Sequence, residues 1–150
     1  MSDPNDPHLH ASDSTEQRTA ERAIIAAVAE QLGVELAPAR IAISDAHVEI
    51  DGASSEHTVL VEAYARIGAL KGAQPRKLAT DAFKLAWAGQ KLGATRLILA
   101  VADETAAGYL RRPGAWLTPA IRDAGIEVIV AEIDDALRST IIAAQARQFR

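Results

Sequence analysis

Hydrophobic positions along the chain follow a helical period in two long stretches. In residues 16–33 the apolar side chains recur every fourth position, which predicts an amphipathic helix capped by Ser14 or Thr15 and ended by Gly33. A second stretch begins at Pro75, a residue suited to the first turn of a helix, and continues to about residue 92. The apolar stripe of the first helix consists of Ala20, Ile24, Val28 and Leu32.

Between these helices the period changes to two, which predicts three strands. The segments ARIAIS (39–44), HVEID (47–51) and HTVLVEAYARI (57–67) alternate apolar and polar residues, with turns expected at 45–46 and 52–56. The third segment is the longest. Its odd-numbered positions are wholly apolar, whereas its even-numbered positions include a glutamate, a tyrosine and an arginine.

The last third of the chain predicts two buried strands and further helices. Residues 95–103 and 126–133 are nearly continuous apolar runs, as in strands covered on both faces. Residues 104–124 are helical in pattern with a break at Pro113-Gly114, and 134–147 predict a closing helix. The order αβββαβ, followed by helix, strand and helix, predicts a three-layer α/β domain around a mixed sheet.

Composition supports one globular domain over residues 15–150, preceded by a polar tail at 1–14 that we expect to be disordered. The chain has 150 residues, is 49% hydrophobic and contains no cysteine, so it can form a core without disulfides or thiolate-bound metal. The N-terminal segment lacks the pattern of a secretory signal, and no apolar run is long enough to span a membrane. We therefore expect a cytoplasmic protein that does not enter the membrane.

Charge is distributed in blocks. Residues 1–65 carry three arginines against twelve acidic residues, whereas residues 66–96 carry seven basic residues against one aspartate. A basic block beside an acidic one suits a protein that binds both phosphates and a cation, although a solvated helix face would give the same pattern.

Asp51 and Glu62 are the candidate metal ligands. They lie on neighbouring predicted strands, which run about 5 Å apart, so one register of the sheet brings both carboxylates to one place. Two carboxylates suit Mg²⁺, which activates water for phosphodiester hydrolysis. The alternatives are that Asp51 only starts a turn with Gly52, and that Glu62 is a buried ion-pair partner of Arg66 or Lys77.

The element order, with an Asp ending one strand and a Glu inside the next, resembles the PD-(D/E)XK nuclease superfamily, which has the restriction endonuclease-like fold. The resemblance covers residues 16–103 and implies a nuclease that uses Mg²⁺, with Mn²⁺ as a substitute. It would assign Asp51 and Glu62 as the two acids. The family's lysine would fall two residues after the second acid, where this chain has Tyr64.

Some members of that superfamily carry the lysine on the following helix, which would make Lys77 the catalytic substitute and Lys71 the next choice. The resemblance also implies that Glu21, on the first helix, adds to the metal site. From the residues alone, Glu21 could instead pair with Arg18 or Arg22 on the helix surface, and Lys77 with Asp81 four residues later.

Three functional hypotheses follow. The first is a metal-dependent nuclease that holds nucleic acid, with DNA favoured over RNA, through phosphate contacts. The second is an inactive nuclease-fold module that binds nucleic acid or a protein partner, as Tyr64 in the lysine position indicates. The third is a generic α/β interaction domain. A homodimer is left open in each. The candidate nucleic-acid-binding residues are Arg66, Lys71, Arg76 and Lys84.

Overall fold

The computed structural model describes residues 7–148 of the chain, and side chains from residue 15 to residue 147. Five helices and five strands alternate in this part of the chain. In order they are α1 (Pro7–Leu32), β1 (Ala37–Ile43), β2 (Ala46–Ala53), β3 (Val59–Tyr64), α2 (Gln74–Leu92), β4 (Arg96–Val101), α3 (Glu104–Leu110), α4 (Leu117–Asp123), β5 (Ile126–Val130) and α5 (Asp135–Gln148).

The strands form one sheet in the order β1-β2-β3-β4-β5. The first three strands pair antiparallel as a meander, and β3, β4 and β5 pair parallel through helical crossovers. The prediction of an α/β protein with a mixed sheet is therefore confirmed. Short polar connections allow the antiparallel pairs, whereas the parallel pairs need α2 and the α3–α4 segment as connections.

Apolar side chains pack on both faces of the sheet and make three layers. On one face, Leu60 and Tyr64 of β3 pack in a cluster with α2, α3 and α4. On the other face, Val61 and Ala63 pack with α1 and α5. The predicted alternation of β3 is thus the reason that one strand contributes to two cores.

Helix α1 begins earlier than the sequence predicted. Pro7 is its first residue, so residues 7–14 of the expected disordered tail are helical, and residues 1–6 lie outside the described residues. Proline has the backbone angle of a first helical residue, and extending a formed helix costs far less than starting one. Gly33 follows the helix with φ of 66°, as predicted for its C-terminal end.

The turn between β2 and β3 lies two residues later than predicted. Ser54 accepts hydrogen bonds at its Oγ from the backbone N–H groups of Thr58 (3.1 Å) and Val59 (3.0 Å). His57 lies inside this turn with φ of 58°. The serine side chain therefore organises residues 54–58, and β2 is longer and β3 shorter than the alternation indicated.

Three large aromatic residues are exposed on the helices that cover one face of the sheet. Trp116 is 75% exposed, Phe83 is 79% exposed and Trp87 is 37% exposed. The core-facing stripes of α2 and α4 use the neighbouring residues Ala82 and Leu117 instead.

None of the helices in the described part of the chain is both long and apolar enough to cross a membrane.

Candidate active site

Strand β2 contains a β-bulge at the predicted metal ligand. The span 37–39 of β1 lies opposite the span 50–53 of β2, so β2 has one extra residue at Asp51-Gly52. A Cβ atom on Gly52 would lie 2.8 Å from Cγ2 of Ile25, so a glycine allows α1 to approach the bulge closely. Asp51 therefore lies in an irregular strand segment and not in a turn, which excludes the turn-starting role considered for it.

Asp51 and Glu62 exchange hydrogen bonds between side chain and backbone where β2 and β3 diverge. The strands pair at Gly52–Val61, and one further step of this register would set Asp51 opposite Glu62. There, the N–H of Asp51 donates to Oε2 of Glu62 at 2.9 Å. The N–H of Ala63 donates to Oδ2 of Asp51, also at 2.9 Å. The two predicted acids are thus brought together, and each is held by backbone of the opposite strand.

The Glu62 carboxyl is among the most deeply buried polar groups of the described residues. It is 1% exposed, on the face of β3 that carries Leu60 and Tyr64. Burial, followed by the neighbouring Asp51 carboxylate, raises the pKa of Glu62 to about 8. A second negative charge in a dry site disfavours ionisation, so this pair of acids favours a bound proton or a cation.

Lys84 of α2 provides positive charge to this pair. Its ammonium group forms an ion pair with Oε1 of Glu62. The same group donates to the backbone oxygen of Glu49 at 2.9 Å. The buried ion pair of Glu62 is therefore with Lys84, and not with Arg66 or Lys77, the two partners considered from the sequence.

Lys77 and Glu21 lie beside the two acids. Lys77 donates to Oδ2 of Asp81 at 2.8 Å, and Asp81 is buried. Burial alone would lower the pKa of Lys77, but the carboxylates of Asp81, Glu21 and Asp51 together raise it. Burial and then the Asp51 carboxylate raise the pKa of Glu21, which accepts a 3.3 Å hydrogen bond from Gln17. Helices on opposite faces of the sheet thus both contribute charged groups.

The described residues contain no closed metal site. Over residues 15–147, no group of three or more histidine, cysteine, aspartate or glutamate side chains is arranged to hold a metal ion. Mg²⁺ commonly keeps several waters and uses one or two carboxylates together with substrate phosphates. Asp51 and Glu62 could hold a cation only in that mode, as two carboxylates completed by water or substrate.

Tyr64 occupies the position where the resemblance implies a lysine. Its side chain is buried, and its hydroxyl donates to Oε1 of Gln74 at 3.1 Å. Burial raises the pKa of the Tyr64 phenol, so it stays protonated near neutral pH. This hydrogen bond links β3 to the first turn of α2. Because the Tyr64 side chain is neutral, it supplies no positive charge to the carboxylates of Asp51 and Glu62.

The four predicted nucleic-acid-binding residues do not form one surface. Lys84 is engaged with Glu62, as described above. Arg66 is half-buried beside a small cleft between α1 and α5. Lys71 and Arg76 are exposed, in the loop before α2 and in its first turn. The basic block of the sequence is therefore divided among different environments.

Asp81 is the site residue whose burial the sequence analysis missed. It was considered only as a surface partner of Lys77. The signal was present, because Asp81 lies three residues after Leu78 and four before Leu85, in the apolar stripe of α2. An acidic residue within a core-facing stripe needs a partner, and here Lys77 is that partner.

The fold and site together define an α/β protein with a pair of acids and two lysines at a fork in a mixed sheet. Neither the known family descriptions, nor the curated proteins, nor the solved structures contain a match to this chain.

Proposed function

We propose that this protein is a Mg²⁺-dependent nuclease of the PD-(D/E)XK type, with the restriction endonuclease-like fold, that hydrolyses phosphodiester bonds in nucleic acid. The observation that carries the proposal is the reciprocal pair of hydrogen bonds that holds the carboxylates of Asp51 and Glu62 at the fork between β2 and β3. A β-bulge beside a pair of acids is a common arrangement at active sites.

The three acids and Lys77 have different roles in the proposed reaction. Asp51 and Glu62 would hold Mg²⁺, which when bound polarises a phosphoryl oxygen and makes a water more acidic. Lys77 would orient the attacking water and offset negative charge that develops on the phosphate. Glu21 adds negative charge beside Asp51, consistent with the raised pKa of Glu21. DNA in the cytoplasm is the favoured substrate.

The direct experiment is a cleavage assay on the purified chain with labelled DNA and RNA, single- and double-stranded, in Mg²⁺, in Mn²⁺ and in EDTA. We expect cleavage with either cation and none in EDTA. Asp51→Asn and Glu62→Gln should both lose activity, whereas Glu127→Gln, an exposed acid on β5, should retain it. Calorimetric titration of the cations should show binding that Glu62→Gln weakens.

The proposal is refuted if the wild-type chain cleaves none of these substrates in Mg²⁺ or Mn²⁺. Activity that survives Glu62→Gln would be contamination.

A second candidate is a binding module that keeps this fold without catalysis. Two observations favour it: Tyr64 stands in place of a lysine, and the Lys84 ammonium already neutralises Glu62. It predicts salt-sensitive retention of DNA, or capture of a protein partner, with no cleavage under any cation. The same assay distinguishes the two candidates, because only the nuclease consumes its substrate.

A further inference from the structure

The N-terminal 65 residues contain three arginines and no lysine, and all three arginines line one cavity. Arg18 and Arg22 of α1 and Arg40 of β1 border a cavity of about 390 Å³ between α1 and the β1–β2 hairpin. This segment carries twelve acidic residues, so its arginines could have been dispersed among ion pairs over the surface. Neither the charge distribution along the sequence nor the pair Asp51 and Glu62 predicted that the three arginines would line the same cavity.

The cavity leads to the candidate active site. Asp51 and Glu21 belong to its lining, together with Glu49. Its remaining lining is apolar and comes from both walls, namely Ile25, Pro38, Ala39 and Ile50. A ligand in this space would therefore meet guanidinium groups, an apolar surface and the Asp51 carboxylate of the fork.

We propose that this cavity binds an unpaired nucleotide of a single-stranded polynucleotide whose neighbouring phosphate lies at Asp51. The inference rests on the proposed function and adds the class of substrate. Arginine is well suited to phosphate because its planar guanidinium can donate two parallel hydrogen bonds. Arg22 and Arg40 are both exposed, so their guanidinium groups are accessible to a backbone phosphate.

The apolar lining selects a single strand over a duplex. The bases of a duplex are stacked and paired inside the helix, so they cannot pack against Pro38 and Ala39, the accessible apolar part of the lining, whereas an unpaired base can be turned outward onto such a surface. A volume of about 390 Å³ is also in the range of pockets that enclose one small ligand, which is the scale of one nucleotide.

The acidic residues of the cavity fit this occupant once the cation is considered. Asp51 and Glu21 would repel a phosphate alone, but a divalent cation at the fork adds two positive charges beside the three arginines. Phosphate binding and cation binding should therefore support each other.

The test is fluorescence anisotropy with labelled 12-nucleotide single strands, as DNA and as RNA, in EDTA and in Ca²⁺, which supplies the divalent charge, with the strand checked for intact length afterwards. We expect R22A/R40A to weaken binding about tenfold or more and to reduce the slope of log affinity against log salt by about 1.4, the value for two lost contacts on a single strand. The variant K71A/R76A removes two exposed residues that the sequence predicted as phosphate contacts outside this cavity, so it tests the competing site. R122A is the matched single control on α4.

Several results would overturn the inference: no binding by the wild-type chain, equal binding of the matching duplex, or a loss confined to K71A/R76A. Melting temperatures near wild type would show that R22A/R40A is folded, as the exposure of both arginines indicates. Comparing the affinities for the DNA and RNA strands shows whether the cavity prefers deoxyribose or ribose. Binding and cleavage are measured separately, so the two proposals can fail separately. If the chain binds the strand in this cavity but never cleaves it, only the proposed nuclease activity is refuted. If R22A/R40A leaves cleavage unaffected, only the proposed nucleotide site is refuted.

Discussion

Asp51 and Glu62 hold each other in position through backbone that belongs to the opposite strand. The N–H of Asp51 donates to the Glu62 carboxylate, and the Asp51 carboxylate accepts from the N–H that follows Glu62, both at 2.9 Å. Two backbone donors that would lack ladder partners at the fork are satisfied by the acids themselves. Neither side chain can move without breaking a bond to the other strand, so the site is organised before any ligand binds.

We predict that the free energy of unfolding falls between about pH 5 and about pH 8 because of Glu62. Burial and the Asp51 carboxylate raise its pKa from 4.5 to about 8 in the folded chain. Between these values the folded state holds a proton that the unfolded state has released, so stability is present at low pH and is lost as the pH rises toward the folded pKa. Urea denaturation at a series of pH values measures the fall, and Glu62→Gln should remove it.

The matched control for this prediction is Glu127, whose pKa is shifted in the opposite direction. Arg96 lowers the pKa of Glu127 through a hydrogen bond and its charge, so the stability that Glu127 contributes is lost as the pH falls. Glu127→Gln should therefore leave the decline toward pH 8 in place. A flat wild-type profile, or the same decline in Glu62→Gln, would show that Glu62 ionises normally.

We predict that Lys84→Met destabilises the protein at about pH 8 by about 1–3 kcal/mol, because it leaves the buried Glu62 carboxylate without its counter-charge. Lys91→Met, a change of an exposed lysine on the same helix, is the control and should have little effect. Adding Mg²⁺ should recover part of the loss if the cation binds at the same carboxylate. Equal effects of the two substitutions would show that the Lys84–Glu62 ion pair is energetically unimportant.

The sequence predicted the element order and the sheet well because the periods are distinct. The alternation of β3 placed Glu62 on one face and Val61 on the other, and both placements are confirmed. The predicted start at Pro75 and the predicted end near residue 92 both match α2 to within a residue. The start of β3 was not predicted because the Ser54 hydroxyl, a local side-chain interaction, replaces strand pairing over residues 54–58.

The pairs of residues that contact each other within the site could not be predicted from the sequence pattern alone. Lys84 and Glu62 are separated by a loop and more than two turns of helix, so their contact depends on how α2 packs across the sheet. The proximity of Asp51 to Glu62 depends on the β2–β3 register, which pairs Gly52 with Val61 and cannot be read from either strand alone. The convergence of the three arginines likewise depends on the closeness of α1 to the β1–β2 hairpin.

We predict that Lys77→Met lowers the cleavage rate about 100-fold with little change in substrate binding, because an orienting group acts mainly in the transition state. Tyr64→Phe is the control for the neighbouring structural contact. It removes the hydrogen bond to Gln74 and should cost about 1 kcal/mol of stability while leaving the rate unchanged. Single-turnover rates and denaturation curves separate the two effects. Cleavage at the wild-type rate in Lys77→Met would exclude Lys77 from catalysis.

We predict that alanine has opposite effects on stability at two helical glycines. A Cβ on Gly89 of α2 would lie 2.6 Å from Cδ2 of Leu97, whereas none of the surrounding atoms lies within 4 Å of a Cβ on Gly108 of α3. Gly108→Ala should therefore stabilise by up to about 1 kcal/mol through helix propensity. At Gly89 the same gain is offset by overpacking against buried Leu97, which costs about 1–3 kcal/mol. Thermal denaturation should place Gly108→Ala above wild type and Gly89→Ala below it; equal stabilisation by both would mean that α2 can move away from β4 at no cost.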